Sequence, residues 1–256
     1  MSSASVSVPP DLTKIHIEDC LKRVRAFLGG FFIVDTRKAK LVWEHQWYPQ
    51  YYFPNNELPS KFLDDDSKQS LPDGATKYDI VVGDKRAPGA VIVFGDSNGE
   101  LTGLFKIGYN SMERWFEEDE QVFVHPKDPY KRVDVLQSSR HVRVEVHGVE
   151  VANTHKPRLL FETNLPVRTY IPQTDCKLEL LTASDLQTPC PYKGVASYYH
   201  VQTGPDRKAE NVVWWYRNPN VECVAISGYY AFYDELVDIW IDGEKQSRPK
   251  THFVFR

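Results

Sequence analysis

The amino-acid sequence predicts an all-β protein made of two tandem domains of antiparallel sheets, with few short helices. The first observation is the abundance of strand-forming aromatic residues, with 14 Tyr, 13 Phe and 6 Trp. The second is periodicity, because apolar residues alternate with polar ones in short runs and rarely recur at helical spacing. The third is an internal repeat, in which residues 24–54 match residues 142–172 without a gap.

The repeat depends on identities at a constant offset of 118 residues. The agreeing positions in the first copy are Val24, Arg25, Gly30, Thr36, Lys38, Leu41, Glu44, Tyr52 and Pro54. A repeat of this length has the size of a domain. We therefore predict an N-terminal tail at residues 1–20, a first β domain at residues 21–136 and a second β domain at residues 137–256.

The strands follow from local pattern and turn residues. In the first domain, residues 24–34 predict two strands around a turn at Gly29 and Gly30, and residues 140–152 repeat this pattern in the second domain. Further along, residues 195–201, 211–216 and 225–241 are rich in β-branched and aromatic residues. A turn is expected at residues 218–220, where Asn-Pro-Asn interrupts the pattern.

Composition and charge exclude several classes of function. The net charge of −4 argues against nucleic acid or an anionic membrane as the partner. No apolar stretch reaches the length of a membrane span. The four cysteines form no Cys-x-x-Cys pair, which predicts a reducing, cytoplasmic location. A metal site from Cys176, Cys190, Cys223 and His200 is conceivable by inventory, but the spacings indicate none, and no cofactor motif is present.

The most chemically equipped stretch is the turn at residues 188–194, Thr-Pro-Cys-Pro-Tyr-Lys-Gly. Pro191 restricts one φ angle and Gly194 permits a positive φ, so a stiff turn that orients its side chains is expected. With an offset of 120, residues 70–74 of the first copy stand opposite residues 190–194, and Gly108 stands opposite Gly228. In this alignment the first copy lacks the thiol, phenol and amine, and we interpret it as degenerate.

Motifs in the second copy resemble a known family. They are Arg143-x-Glu145, Glu162-Thr163-x-Leu165-Pro166-x-Arg168-x-Tyr170-x-Pro172, Thr188-x-Cys190-Pro191-Tyr192-Lys193-Gly194-x-Ala196-x-Tyr198, Trp214-x-Tyr216-x-x-Pro219 and Ile226-x-Gly228-Tyr229-x-Ala231-Phe232-Tyr233-x-x-x-Val237-Asp238. They cover almost all of residues 140–240 and are similar to the DUF427 (NTP_transf_9) family, which the first copy resembles weakly. The resemblance implies a β-tent-like (Mss4-like) domain of two antiparallel sheets. It implies no activity and, without paired cysteines, no zinc site.

Four residues are candidates for catalysis. Burial in a pocket would lower the pKa of Lys193 and make it a base or an imine-forming nucleophile. Tyr192 would donate a hydrogen bond to an oxyanion. Cys190 would act as a nucleophile if a neighbouring cation such as His200 lowered its pKa. The alternative is structural, with Cys190 packed as a small apolar residue and Lys193 solvated.

A second set of residues is suited to binding a substrate. Arg168 offers a guanidinium to a carboxylate or phosphate, or else forms a salt bridge with Glu162 or another acid. Aromatic residues on the same strands form either pocket walls or core. The candidates are Tyr170, Trp214, Tyr216, Tyr229, Phe232 and Tyr233.

The sequence therefore suggests a small-molecule-acting protein with a pocket in the second domain, for an aromatic or anionic ligand. If it is an enzyme, a cofactor-independent isomerase, cyclase, lyase or hydrolase using acid/base residues is the simplest form. The alternatives are a non-catalytic binder and a protein-interaction module. An exposed aromatic patch would indicate the module, and convergent titratable groups would indicate the enzyme. Oligomeric state is not predicted.

Overall fold

A computed structural model describes residues 15–249 of the protein. The chain forms two compact units, unit 1 (Met1–Asp128) and unit 2 (Pro129–Arg256). Each unit contains a seven-stranded and a four-stranded sheet in which every pairing is antiparallel. The predicted all-β fold with two tandem domains is confirmed. Of the predicted tail, residues 1–14 lie outside the described residues, whereas residues 16–19 form a strand; the boundaries at 20 and 136 stay predictions.

Within residues 15–128, unit 1 forms its sheets from eleven strands. The seven-stranded sheet has the order β1-β4-β5-β9-β8-β7-β6 and the four-stranded sheet the order β11-β10-β2-β3. The strands are β1 (His16–Asp19), β2 (Val24–Leu28), β3 (Phe31–Thr36), β4 (Lys40–Trp43), β5 (Gln50–Pro54), β6 (Leu63–Ser70), β7 (Thr76–Val82), β8 (Lys85–Val93), β9 (Leu104–Ile107), β10 (Arg114–Glu117) and β11 (Glu120–Val122).

Unit 2 repeats this plan. Its seven-stranded sheet has the order β12-β15-β16-β20-β19-β18-β17 and its four-stranded sheet the order β14-β13-β21-β22. The strands are β12 (Val133–Gln137), β13 (Val142–Val146), β14 (Val149–Thr154), β15 (Arg158–Glu162), β16 (Arg168–Pro172), β17 (Leu181–Cys190), β18 (Gly194–Gly204), β19 (Arg207–Tyr216), β20 (Tyr229–Phe232), β21 (Asp238–Ile241) and β22 (Glu244–Lys245).

The helices of residues 15–249 are short 3-10 segments, and none of them is long and apolar enough to cross a membrane. Three of them in each unit connect strands at corresponding places, whereas Tyr109–Ser111 has no counterpart among the described residues of unit 2. In unit 1 they are Asn55–Glu57, Ser60–Phe62, Asp96–Leu101 and Tyr109–Ser111. In unit 2 they are Gln173–Asp175, Leu178–Leu180 and Val221–Ile226.

The strand registers align the two units and correct the sequence alignment at the turn of residues 188–194. Leu71 donates its N–H to the carbonyl of Ala75, and the corresponding pair in unit 2 is Thr188 with Ala196. Between the paired residues, the first of which is followed by a proline (Pro72 or Pro189), the chain has three residues (72–74) in unit 1 and seven residues (189–195) in unit 2, because two further pairs extend the hairpin there. The predicted match of residues 70–74 with 190–194 is therefore wrong, because unit 1 has a shorter turn.

A second correction concerns the strand that follows. Gly103 donates to the carbonyl of Phe94, and Gly228 donates to the carbonyl of Tyr216 in the same way. Gly228 therefore corresponds to Gly103, at an offset of 228 − 103 = 125, and not to Gly108. The extra residues in unit 2 lie in the turns, where they leave strand pairing intact.

Each large sheet buries both of its faces. In unit 2, one face packs on the four-stranded sheet and forms what we call the inner core. Its residues include Val142, Val144, Ile171, Val201, Val213, Tyr230 and Phe232. The other face carries a second apolar group, the outer cluster, consisting of Leu160, Tyr170, Ala196, Tyr198, Trp214, Tyr216, Cys223, Ile226 and Ala231. Strand alternation separates the two sets and brings most of the candidate residues to the outer cluster.

Candidate functional site

Lys193 lies in the turn between β17 and β18 and reaches across the outer cluster to Glu162 of β15. Strands β16, β20 and β19 separate these elements in the sheet, so the ion pair joins distant parts of one curved sheet. The side chains are 13% and 7% exposed. Burial alone would lower the pKa of Lys193, but Cys190 and Glu162 nearby outweigh burial and raise its pKa. The expected lowering is therefore wrong, because the raised pKa favours the protonated form of Lys193 that pairs with Glu162.

Residues 218–223 pack against the turn that carries Lys193 and form hydrogen bonds with its backbone. Asn220 donates its N–H to the carbonyl of Lys193 at 3.1 Å and its side-chain amide to the carbonyl of Pro191 at 2.9 Å. Gly194 has φ +99°, and an added Cβ there would lie 3.1 Å from the Asn218 carbonyl oxygen. Tyr192 is buried, and Cys190 lies at the end of β17 opposite Gly194. The turn is shorter than predicted, because residues 188–190 and Gly194 belong to the paired strands β17 and β18 and only residues 191–193 form the turn.

Tyr170 lies under this ion pair in the middle of the sheet. Its hydroxyl accepts a hydrogen bond from the indole N–H of Trp214 at 3.1 Å, and its side chain is fully buried. Burial raises the pKa of Tyr170, and it also raises that of the neighbouring Tyr216. These phenols therefore stay protonated and act as hydrogen-bonding parts of the packing.

Arg168 forms a closed ion pair next to Trp214. It donates two hydrogen bonds to Glu235, at 2.9 and 2.7 Å, and lies 3.8 Å from Asp234. Its guanidinium carbon is 5.6 Å from the centroid of the Trp214 ring. The partner of Arg168 is thus an acid, but it is Glu235 and not Glu162.

Asp234 is a functional candidate that the sequence analysis missed. Its Oδ1 atom is buried and accepts no hydrogen bond from residues 15–249. Burial, with the like charge of Glu235 and against the opposing charge of Arg168, raises the pKa of Asp234 to about 6. The available signal was two acids directly after the strand-forming run at residues 229–233. A carboxyl with this pKa changes protonation state near neutral pH.

Hydroxyl groups continue from Asp234 along the outer cluster. The Tyr233 hydroxyl lies 3.3 Å from that of Tyr198, which lies 2.7 Å from the hydroxyl of Thr188. The Tyr233 ring packs on Trp214 with a centroid separation of 4.5 Å. Arg168 therefore links Asp234, at 3.8 Å, to the aromatic pair Trp214 and Tyr233.

Some predicted site residues lie elsewhere. The Nδ1 atom of His200 accepts a hydrogen bond from the backbone N–H of Asn211 at 3.1 Å. His200 lies six positions along the extended strand from Gly194, a distance of about 20 Å, so the structure does not pair His200 with Cys190. Phe232 belongs to the inner core, and Tyr229 packs under Arg158 at 4.9 Å.

Cys190 and Cys223 both lie near Lys193, whereas Cys176 lies apart from them. Cys176 packs in the inner core, whereas Cys223 packs in the outer cluster and donates weakly to the Tyr192 carbonyl at 3.6 Å. Burial raises the pKa of Cys176 to about 12 and that of Cys223 to about 11. Within residues 15–249, no three histidine, cysteine or acidic side chains are grouped as metal ligands.

An open depression of about 740 Å³ lies in unit 1, beside the end of β3. Charged residues line much of it: Asp19, Asp35, Arg37, Lys38, Lys40 and Glu57. Within this set Lys40 pairs with Asp19 and Lys38 pairs with Glu57. A pocket was predicted in the second domain, and no feature of the sequence predicted this depression in unit 1.

Comparison with known proteins assigns the family. A family profile described as a domain of unknown function (DUF427, NTP_transf_9) matches residues 16–118 and, again, residues 134–243. The chain belongs to this family. Both units of this DUF427 protein are therefore copies of the same domain, in agreement with their matching strand orders. No curated protein matches the chain significantly.

Proposed function

We propose that unit 2 of this DUF427 protein acts on a small organic molecule, with Asp234 as the group that moves a proton. The observation that carries the proposal is the buried Oδ1 atom of Asp234, which has no hydrogen-bond donor among residues 15–249 although Arg168 is close by. An unsatisfied buried carboxylate oxygen is costly, and such groups occur where a ligand or a reaction uses them.

Acid/base chemistry fits the properties of this carboxyl. A pKa of about 6 leaves both protonation states of Asp234 populated near neutral pH, as a residue that first accepts and then returns a proton requires. The Tyr233 hydroxyl can donate to a ligand oxygen while Asp234 takes a proton from carbon. Return of that proton to another atom is an isomerisation, and departure of a leaving group instead is an elimination.

The proposed ligand is aromatic. Trp214 and Tyr233 offer rings beside Asp234, and Arg168 is already engaged by Glu235. An anionic ligand would have to displace Glu235 from the guanidinium, at the cost of leaving that carboxylate buried and unpaired. Lys193 is engaged by Glu162 in the same way.

The test is exchange of ligand protons with solvent. The full chain is incubated in D₂O with a panel of aromatic ketones that have acidic C–H bonds, and deuterium entry into each is followed by NMR. We expect at least one compound to exchange faster with wild type and to lose that acceleration in Asp234→Asn. Asp206→Asn, at an exposed turn of the same unit, is the matched control and should exchange like wild type. Equal acceleration by all three proteins would contradict the proposal.

A second candidate function is non-catalytic binding of the same kind of molecule. It is favoured by the two closed ion pairs, Lys193–Glu162 and Arg168–Glu235, which leave neither cation free to stabilise developing negative charge. Ligand binding without deuterium entry would support this candidate. The interaction-module alternative is less favoured in unit 2, because Tyr170, Trp214 and Tyr216 are buried rather than exposed as a patch.

A further inference from the structure

Two cysteines lie on segments that pack together at the end of the β17–β18 hairpin. Cys190 is the last residue of β17, Cys223 lies in the 3-10 segment Val221–Ile226, and both are free thiols. Thr188, two residues before Cys190, places its hydroxyl 2.7 Å from that of Tyr198 in the outer cluster. Residues two apart on a strand share a face, so Cys190 also points toward the outer cluster, to which Cys223 belongs.

Backbone contacts bring the two segments close to each other beside these cysteines. The Sγ atom of Cys223 lies 3.6 Å from the carbonyl oxygen of Tyr192, two residues after Cys190. Cys190 stands opposite Gly194 in the hairpin, and a Cβ at Gly194 would lie 3.1 Å from the Asn218 carbonyl oxygen. Because glycine carries no side chain, the chain at Asn218 approaches the hairpin closely before it continues to Cys223.

The two thiols also act on the same ionisable groups. Burial raises the pKa of Cys223 to about 11, against the charge of Lys193 and with that of Cys190. Burial likewise raises the pKa of Tyr170, and both thiols add to this rise. Lys193 thus lies near both cysteines, and a cation beside a thiol favours the thiolate, which is the nucleophilic form. Cys190 is half-buried, so a small solute can reach it, whereas Cys223 is fully buried.

Unit 1 forms the same contact without thiols. Its 3-10 segment Asp96–Leu101 corresponds to Val221–Ile226 at the offset of 125, which places Asn98 where unit 2 has Cys223. The side-chain amide of Asn98 donates to the carbonyl of Asp73 in the hairpin turn at 3.0 Å, a better hydrogen bond than the 3.6 Å contact of Cys223. The shorter turn of unit 1 also carries no thiol. The fold therefore does not require a cysteine at either place.

We propose that Cys190 and Cys223 form a reversible disulfide, with a hydroperoxide as the oxidant. The disulfide ties the turn that carries Lys193 to the segment that leads into β20. The site does not involve Asp234, so it is independent of the function proposed above.

The reaction has two steps, written here for hydrogen peroxide. The Cys190 thiolate attacks one oxygen, an S–O bond forms, the O–O bond breaks, and the hydroxide that leaves becomes water with the proton lost from the thiol. The product is a sulfenic acid. The sulfur of Cys223 then attacks the sulfenic sulfur, an S–S bond forms, the S–O bond breaks, and the leaving hydroxide takes the Cys223 proton. Two thiols are thus oxidised by two electrons, and one peroxide is reduced to two waters.

The test treats the reduced full chain with hydrogen peroxide under native conditions. After the peroxide is removed, the chain is unfolded in urea with N-ethylmaleimide present, and the cysteines are mapped by peptide mass spectrometry. We expect one peptide pair joined through Cys190 and Cys223, whereas Cys20 and Cys176 carry maleimide. The midpoint of urea unfolding should rise in the oxidised chain and return to its starting value after dithiothreitol.

Serine variants separate the two steps. Cys223→Ser keeps a hydroxyl that can donate to the Tyr192 carbonyl, and its oxidation should stop at the sulfenic acid of Cys190, which dimedone labels. Cys190→Ser should leave Cys223 reduced. The matched control is Cys176→Ser, which changes a buried cysteine of the inner core and should form the disulfide at the wild-type rate.

The part played by the cation is tested in a variant without the buried ion pair. Lys193→Met/Glu162→Gln removes both charges together, so that neither is left unpaired. We expect sulfenic acid formation at Cys190 to slow at least tenfold. Circular dichroism confirms that each variant is folded. An unchanged rate would overturn the role given to Lys193.

Three further results would overturn the proposal. The first is that peroxide leaves both thiols of the wild type reduced. The second is that Cys190 is oxidised to a sulfenic or sulfinic acid without joining Cys223. The third is a disulfide between two copies of the chain, seen as a dimer in non-reducing electrophoresis, in place of the internal one.

Discussion

On the outer face of each large sheet, a glutamate is paired with a lysine, but the lysine comes from a different element in each unit. In unit 2, Glu162 is neutralised by Lys193 from the long turn. In unit 1, the corresponding carboxylate is Glu44, and Lys106 of β9 bonds to its two oxygens at 3.0 and 2.9 Å. By register, Lys106 stands where unit 2 has Ala231. The shared tyrosine is Tyr170 in unit 2 and Tyr52 in unit 1.

This difference shows which features of unit 2 are structural and which are particular to it. In either unit, the glutamate beside the shared tyrosine needs a cation as its partner. The turn of unit 1 is shorter by four residues and supplies no lysine, so Lys106 of strand β9 pairs with Glu44 instead. Lys193 is therefore explained by packing. Arg168 has Gln50 as its counterpart, and Asp234 and Glu235 have Tyr109 and Asn110, at offsets of 118 and 125. This charged group exists only in unit 2.

The largest expected effect comes from breaking the buried ion pair. Lys193→Met keeps most of the side-chain volume but leaves Glu162 unpaired at 7% exposure, which we expect to lower the free energy of unfolding by about 3–5 kcal/mol. Urea unfolding at neutral pH measures the loss.

Lys106→Met in unit 1 is the matched variant. Its partner Glu44 is 33% exposed and keeps water contact, so the loss should be about 1 kcal/mol. The double variant Lys193→Met/Glu162→Gln should recover most of the loss in unit 2. Equal losses for the two lysine variants would mean that the pairs are equivalent and that the comparison fails.

The next effect is a pH dependence specific to Asp234. Its pKa is raised from 3.8 to about 6 in the folded protein, so its contribution to stability is complete below pH 3.8 and is lost as pH rises through 6. At pH 8, Asp234→Asn should therefore be more stable than wild type by roughly 2–3 kcal/mol, and near pH 4 the two should be similar.

Thermal and urea unfolding across pH 4–8 measure this difference between Asp234→Asn and wild type. Asp206→Asn should show no pH-dependent difference from wild type, because that residue is exposed. A constant difference for Asp234→Asn at all pH values would show that the carboxyl does not titrate in this range. Arg168→Gln should raise the pKa of Asp234 further, since Arg168 lowers it, and carboxyl NMR titration tests that direction.

A smaller effect follows from the hydroxyl of Tyr170. Tyr170→Phe leaves the buried indole N–H of Trp214 without its acceptor and should cost about 1–2 kcal/mol in the free energy of unfolding. In unit 1, burial and the negative charge of Glu44 raise the pKa of Tyr52, and Glu44 retains Lys106, so Tyr52→Phe should cost about half as much. A larger loss of unfolding free energy for Tyr52→Phe than for Tyr170→Phe would contradict this prediction.

The smallest effect concerns the covered edge of unit 2. Lys177→Pro adopts the observed φ but removes the donor to Val151, so it should cost about 1 kcal/mol, partly offset by the lower entropy of the unfolded chain. Hydrogen exchange of the β14 amides should accelerate at the same time. Lys177→Ala, which keeps the N–H, controls for loss of the side chain and should leave exchange unchanged.

Local pattern was sufficient for the duplication and for some of the strands, but residues 188–190, predicted as turn, lie in β17, and residues 225–241, predicted as strand, include the end of a 3-10 segment and two short strands. The two strands around Gly29 and Gly30 and the strand at residues 195–201 lie within β2, β3 and β18, because alternation and turn glycines act over a few residues. Alignment of the turns failed for the opposite reason. Identities indicate that residues were inserted, but only the pairing of Leu71 with Ala75 and of Thr188 with Ala196 shows where.

The sequence predicted which residues lie together in the candidate site, but it did not predict what each of them does there. Arg168, Tyr170, Trp214 and Lys193 do lie on one face, since residues two apart on a strand share a face. The direction of the Lys193 pKa shift depends on whether burial or a nearby carboxylate dominates, and that carboxylate is 31 residues away in the chain. The distance between His200 and Cys190 depends on strand register in the same way.

The sequence by itself determined the fold class, the duplication, the family and the chemically rich turn, because each is encoded in the order and spacing of neighbouring residues. Tertiary structure alone decided that Lys193 pairs with Glu162 and that Asp234 carries the unsatisfied oxygen. Solvation and charge pairing depend on which distant segments lie within a few ångströms of a group, and only the folded chain sets those distances.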